Sequence, residues 1–349
     1  MAVNDLSIAL VGMGGYGLVY LKALFNLPQE SGVRFIAAAD PAASNCELLP
    51  EVKARRIPVY PSLDTPLARE HPDLVVLSTP PQFHAEQVIA ALEHGCHVLC
   101  EKPVACDPQQ VRQMIQARDR AGKQVAIGYQ WSFSPAILRM KSDIIAGRFG
   151  KPRKLRTSVF WPRDERYYTR NDWAGRQRDS QGRLVLDSPV NNACSHFLHN
   201  MFFVLGPRMD RSDAPTRVEA ELYRANAIDN YDTAAIRCST RSGAELLFIA
   251  SHATQESQEP LIHYQFEHGA IRYGGEAGTE MVGHLSDGST VRYGKPLEAD
   301  SDQKPHAVCA AIREGKPDGL RARGCGGTEH LHVRGAAINA GSLPDFRRR

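Results

Sequence analysis

The chain has 349 residues, 42 of them basic and 39 acidic, for a formal net charge of +3. That length exceeds one compact core and fits two domains, and the near-balance of charge does not call for a polyanionic partner, so no nucleic acid is expected. No stretch approaches the ~20 continuous apolar residues of a membrane span. The first residues lack the pattern of a secretory leader. The 8 cysteines, with no C-x-x-C pair, read as reduced thiols of a cytoplasmic protein.

Short apolar, β-branched runs at residues 6–11, 33–39, 74–78, 97–100 and 125–128 alternate with stretches at 16–26, 81–94 and 108–121 whose apolar residues recur at helical spacing. Strand, helix, strand in succession predicts an α/β domain, a doubly wound parallel Rossmann sheet over residues 1–130.

The first run leads straight into Val11-Gly12-Met13-Gly14-Gly15-Tyr16-Gly17, a G-x-G-x-x-G between a strand and a helix. Gly12 serves the tight turn, Gly14 the approach of backbone to a pyrophosphate, and Gly17 the packing of helix on strand. The phosphates face the helix N-terminus. Asp40 follows the second run, 23 residues after Gly17, where a carboxylate accepts hydrogen bonds from ribose hydroxyls. A 2'-phosphate would meet like charge there, which favours NAD; Arg55 or Arg56 at that end would favour NADP.

Two further segments end strands: Leu77-Ser78-Thr79-Pro80-Pro81-Gln82-Phe83-His84, and His97-Val98-Leu99-Cys100-Glu101-Lys102-Pro103. With the glycine loop they make the chain resemble the glucose-fructose oxidoreductase, inositol dehydrogenase and MocA (Gfo/Idh/MocA) family through most of residues 6–315. The resemblance implies that Met13, Gly15, Tyr16, Ser78, Thr79, Pro80, His84, Glu101 and Lys102 line the dinucleotide with Gly12, Gly14, Gly17 and Asp40. It also implies that Lys102 touches both the substrate hydroxyl and the nicotinamide ribose. A lysine beside a cationic ring loses proton affinity and serves as acid or base near neutrality.

Residues 131–349 form the expected second domain, an α+β unit with a large, mostly antiparallel open sheet. A helix-like stretch runs through Ile145, and strand candidates follow at 155–160, 216–223, 233–238, 245–251, 262–266 and 270–273. From about residue 319 the Gly- and Arg-rich sequence loses periodicity and reads as a solvated or out-of-frame tail. The resemblance implies assembly into dimers or tetramers through the sheet.

Segments 161–163 and 167–175 resemble a substrate-side loop of some family branches. Trp161, Arg163, Tyr168 and Trp173, with Tyr129 earlier in the chain, are candidates for sugar faces and hydroxyls, and serve equally as packing. Residues 187–205 are expected to form one helix on which Asn192, His196 and His199 share a face. Mapping the family's histidine onto His196 puts Asn192 and His199 where carboxylates are frequent in relatives. His196 is then the candidate acid or base beside Lys102, and Asn192 and His199 orient hydroxyls. The His-x-x-His spacing lacks a third ligand, so no metal is expected.

The resemblance therefore implies an NAD(P)-dependent dehydrogenase or reductase of a sugar, polyol or cyclitol. The alternatives are a glycosidase that uses bound NAD transiently and a non-catalytic dinucleotide sensor.

Overall fold

A computed structural model describes residues 5–296 and 303–314. Its first unit opens with β1 (Leu6–Val11), buried along its whole length, α1 (Gly17–Phe25) and β2 (Val33–Ala39). There follow α2 (Leu49–Ala54), β3 (Val59–Tyr60), α3 (Asp64–Arg69), β4 (Leu74–Leu77) and α4 (His84–Glu93). β5 (His97–Cys100), α5 (Pro108–Ala121) and β6 (Val125–Ile127) complete the sheet. β3, at two residues, is too short for any periodicity to announce it.

These strands form one parallel sheet in the order β3-β2-β1-β4-β5-β6. β1 pairs with both β2 and β4, so the order reverses there. That reversal opens a crevice at the carboxyl ends of β1 and β4, where open α/β sheets take ligands. The glycine loop, Ser78-Thr79, Glu101-Lys102 and Gly128-Tyr129 all follow strand ends on this edge.

The second unit begins with α6 (Pro135–Ile145), β7 (Pro152–Phe160), α7 (Glu165–Thr169) and α8 (Ser195–Val204). Seven strands follow: β8 (Pro215–Tyr223), β9 (Thr233–Thr240), β10 (Glu245–Ser251), β11 (Gln258–Phe266), β12 (Gly269–Tyr273), β13 (Met281–Leu285) and β14 (Thr290–Gly294). The sheet order is β14-β13-β12-β11-β7-β10-β9-β8, antiparallel except where β7 and β10 run parallel.

Alternation along β9 and β10 buries Ala234, Ile236, Leu246, Phe248 and Ala250 on one face with Leu155, Val159 and Tyr264. Each large side chain among them contributes roughly 1.5–3 kcal/mol by leaving water. β13 and β14 were not expected from the sequence. Gly283, in the middle of β13, weakens the strand signal, yet its lack of a side chain admits the Phe149 ring, whose Cζ lies 2.6 Å from where a Cβ would stand.

α9 (Gln303–Arg313) corrects the expected division at residue 130, which gave everything beyond it to the second domain. This helix groups with residues 5–133 in the first unit, whereas residues 134–296 make up the second. Gln124 Nε2 donates to the Ala311 carbonyl at 3.0 Å, and Arg313 Nη2 to the Gly32 carbonyl at 2.7 Å. Local periodicity cannot report such a return, because the partners lie far apart in sequence. The irregular tail expected from about residue 319 lies outside the described residues.

Candidate active site

The loop after β1 is built by glycines for distinct reasons. Gly12 has φ +88°, and a Cβ there would stand 2.5 Å from the Ser78 carbonyl oxygen. At Gly17 a Cβ would stand 2.1 Å from the Gly12 carbonyl oxygen. Gly14 and Gly15 instead have no protein atom within 4 Å of a built Cβ, which leaves bare backbone at the N-terminus of α1. That backbone fits a pyrophosphate approaching the helix end.

Asp40 joins this loop to β2. Its Oδ2 accepts from the Met13 N–H and its Oδ1 from the Ala42 N–H, both at 2.7 Å. The carboxylate is thereby aimed from the end of β2 into the loop, with lone pairs left for ribose hydroxyls.

His84 and Glu101, expected to line the dinucleotide, are both buried and engaged inside the protein. His84 Nδ1 lies 2.7 Å from the Pro103 carbonyl oxygen and Nε2 2.9 Å from that of Thr79. The ring thus braces the turn after β4 against the turn after β5. Burial pushes its pKa down. Thr79 Oγ1 donates to Gln87 Oε1 at 2.6 Å, tying the same turn to α4.

Glu101 Oε1 accepts from Tyr20 Oη at 2.7 Å and from Lys304 Nζ, and Oε2 accepts from the Lys102 N–H at 3.2 Å. Lys102 itself is half-buried at the end of β5 and precedes a cis peptide to Pro103. Tyr129, half-buried after β6, has its phenol pKa raised by burial first and by the Glu101 charge second.

In the second unit the histidine helix starts later than expected. α8 begins at Ser195, so Asn192 lies on the preceding turn and does not share a helix face with His196 and His199. Side chains compete with the helix here: Ser188 Oγ accepts from the Asn191 N–H at 3.2 Å, and Asn192 Nδ2 donates to Asp187 Oδ1 at 2.7 Å. Asp187 is the acidic group that sequence reasoning missed. It is 4% exposed, accepts from the Gly175 N–H at 2.7 Å, and follows Leu186, whose φ of +47° is rare for a branched residue. Positions 192 and 199 are not acidic, but the segment holds an acid five residues before Asn192.

His196 is half-buried on the first turn of α8. His199 stacks on Phe203 with ring centroids 5.9 Å apart, and Lys141 Nζ lies 3.7 Å from the same Phe203 ring centroid. Burial first and the Lys141 ammonium second push the His199 pKa down to about 3, so the ring is neutral.

An unfolded histidine takes its proton near pH ~6.5, so between there and about 3 the unfolded state binds the extra proton and stability falls as pH drops. His199→Phe, which keeps the stacking, is expected to flatten the acid decline of the melting temperature. An unchanged decline would show that His199 titrates freely in the folded protein.

Trp161, Arg163, Tyr168 and Trp173 come together around α7. Trp161 meets Phe197 edge-on at 5.5 Å and donates from Nε1 to Glu259 Oε1 at 3.2 Å. The guanidinium carbons of Arg163 and Arg170 lie 4.8 and 3.6 Å from the Tyr167 ring centroid, and that of Arg170 lies 5.6 Å from the Trp173 ring centroid. Tyr168 packs against Gly175, where a Cβ would stand 2.8 Å from its Cδ1. His252, which the sequence did not single out, is buried with Nδ1 2.7 Å from the Trp161 carbonyl oxygen, and fixes the start of this loop. Among the described residues no group of three or more His, Cys, Asp or Glu is arranged to hold a metal ion, and no helix is long and apolar enough to cross a membrane.

Residues 6–129 match the family model GFO_IDH_MocA, described as an oxidoreductase family with an NAD-binding Rossmann fold. The chain is 28% identical over 151 residues to D-glucoside 3-dehydrogenase of Escherichia coli, a match covering 43% of this chain and 42% of the relative. To inositol 2-dehydrogenase of Streptomyces avermitilis it is 30% identical over 153 residues, 43% of each. The chain thus spans about two fifths of the length of these curated relatives. Across nearly the whole chain the fold resembles that of the WlbA dehydrogenase from Bordetella pertussis, solved with NADH and UDP-GlcNAcA, with a TM-score of 0.73, 22% identity, and coverage of 91% of this chain and 90% of that one. Over residues 6–129, then, the chain is similar to an oxidoreductase family with an NAD-binding Rossmann fold.

Proposed function

We propose that the protein is an NAD-dependent dehydrogenase or reductase of a sugar, polyol or cyclitol, in which Lys102 and His196 handle the proton. The observation that carries this reading is the position of Lys102, on the same sheet edge as a loop whose bare Gly14 and Gly15 backbone suits a pyrophosphate. A bound nicotinamide would supply the hydride chemistry. Lys102 exchanges the hydroxyl proton, and the Glu101 carboxylate at its backbone N–H holds the turn that presents it.

His196, on the first turn of α8, is the second proton carrier in this reading, with Asn192 oriented by Asp187 toward substrate hydroxyls. The rings of Trp161, Tyr168 and Trp173 offer sugar-binding faces, and Arg163 a donor beside them. Self-association uses the open face of the second sheet, which Leu247, Ile249 and Leu261 share with Arg156 and Arg272. The free thiols at all seven described cysteines accord with a cytoplasmic setting.

The test is the near-ultraviolet absorbance of NADH when the purified protein meets NAD, then NADP, with a panel of sugars, polyols and cyclitols. A rise with NAD and one substrate class establishes the dehydrogenase. Bound NAD with no rise on any substrate sinks it, and release of a reducing sugar in that case assigns the transient-redox glycosidase instead.

A further inference from the structure

We propose that Lys304, on the C-terminal helix α9, is a positioning residue of the dinucleotide site, holding Tyr16 of the glycine loop and the Glu101-Lys102 turn in one arrangement. The inference rests on the NAD reading above and concerns residues that the sequence did not connect. Lys304 is only 2% exposed. Its Nζ bonds Glu101 Oε1, lies 3.2 Å from Tyr16 Oη and 3.5 Å from the Gly128 carbonyl oxygen, and sits 4.4 and 4.9 Å from the Tyr16 and Tyr20 ring centroids.

One ammonium therefore touches the loop before α1, the end of β5 and the end of β6. The fold makes room for it: at Gly128 a Cβ would stand 2.4 Å from Glu101 Oε1, so a side chain there would displace the carboxylate. From Glu101 the arrangement continues to the Lys102 N–H, one residue from the proposed proton carrier.

A buried ion pair is weak as a stabiliser, because desolvation offsets its attraction and an apolar pair of similar volume often serves as well. Its value lies in geometry, since both partners must stand where all their bonds are made. The groups facing Glu101 are Tyr16 and Tyr20, Cys100 and Lys102, His84 from α4, Tyr129 after β6, and Lys304 from α9. Burial alone would push the Glu101 carboxyl up. The Lys304 ammonium, the Tyr20 hydroxyl and the Lys102 charge outweigh burial and hold it below its usual value. Without the ammonium the upward push of burial is less opposed, and a protonated Glu101 has one acceptor fewer at the Lys102 turn.

The experiment is calorimetric titration of the full chain with NAD from mildly acidic to mildly alkaline pH, for wild type, Lys304→Met and Lys304→Arg, with folding followed by circular dichroism. Wild type is expected to bind with an affinity insensitive to pH. Lys304→Met should bind about tenfold more weakly, recovering in part as rising pH ionises Glu101, and Lys304→Arg should restore most of the loss. A folded Lys304→Met that binds NAD like wild type at every pH overturns the proposal. Should Lys304→Met not fold, the Glu101→Gln/Lys304→Met pair, which buries no charge, decides the matter: wild-type affinity overturns the proposal and about tenfold weaker binding supports it. A wild-type protein that binds no NAD refutes the NAD reading itself, an outcome separate from either of these.

Discussion

Lys102→Met is expected to lower turnover about 10³-fold while leaving NAD binding close to wild type. Methionine keeps the reach and apolar stem of lysine but carries no proton, so the change removes acid-base chemistry and little packing. The backbone N–H of residue 102, which bonds Glu101 Oε2, survives the substitution, and with it the turn. Initial rates with the substrate found in the absorbance panel measure the first effect, and calorimetric titration with NAD the second. Turnover within about tenfold of wild type would remove Lys102 from the proton path and shift that role to His196.

Gly17→Ala should weaken NAD binding by about tenfold or more, since a displaced helix N-terminus need lose only ~1.4 kcal/mol of its hold on the pyrophosphate for each factor of ten. Its Cβ would stand 2.1 Å from the Gly12 carbonyl oxygen and 2.9 Å from the Gly12 carbonyl carbon. Both are backbone atoms that cannot swing aside, so α1 must move away from β1. The accompanying strain should cost about 1–3 kcal/mol of stability, visible as a lower melting temperature. Gly14→Ala provides the contrast. No protein atom lies within 4 Å of its Cβ, so the fold should be unaffected while the added methyl blocks the pyrophosphate. If Gly14→Ala retained full affinity for NAD, the phosphates could not lie against that loop.

Much of the first unit was legible because its signals are local. Each parallel strand is a short apolar run, each crossover helix repeats its apolar residues at helical spacing, and the glycine loop is contiguous, so β1, β2, β4, β5 and β6 lie where the sequence places them. Alternation likewise disclosed β9 and β10. The signal failed where a strand was very short, as at Val59–Tyr60, or held a glycine that serves another element's ring, as at Gly283.

The candidate site divides along the same line. Gly12, Gly14, Gly17, Asp40 and Lys102 are recognisable because their chemistry depends on strand ends that periodicity already locates. Tertiary structure alone decided that His84 is a brace between two turns, that Asn192 stands off the helix under the hold of Asp187, and that His199 packs on Phe203. Lys304 and Glu101 are 203 positions apart, and the helix that joins them is amphipathic like any other. Periodicity says which face of such a helix is buried; which charge it meets is settled only when the chain closes on itself, because a buried ammonium is tolerable only where a carboxylate and hydroxyls already converge.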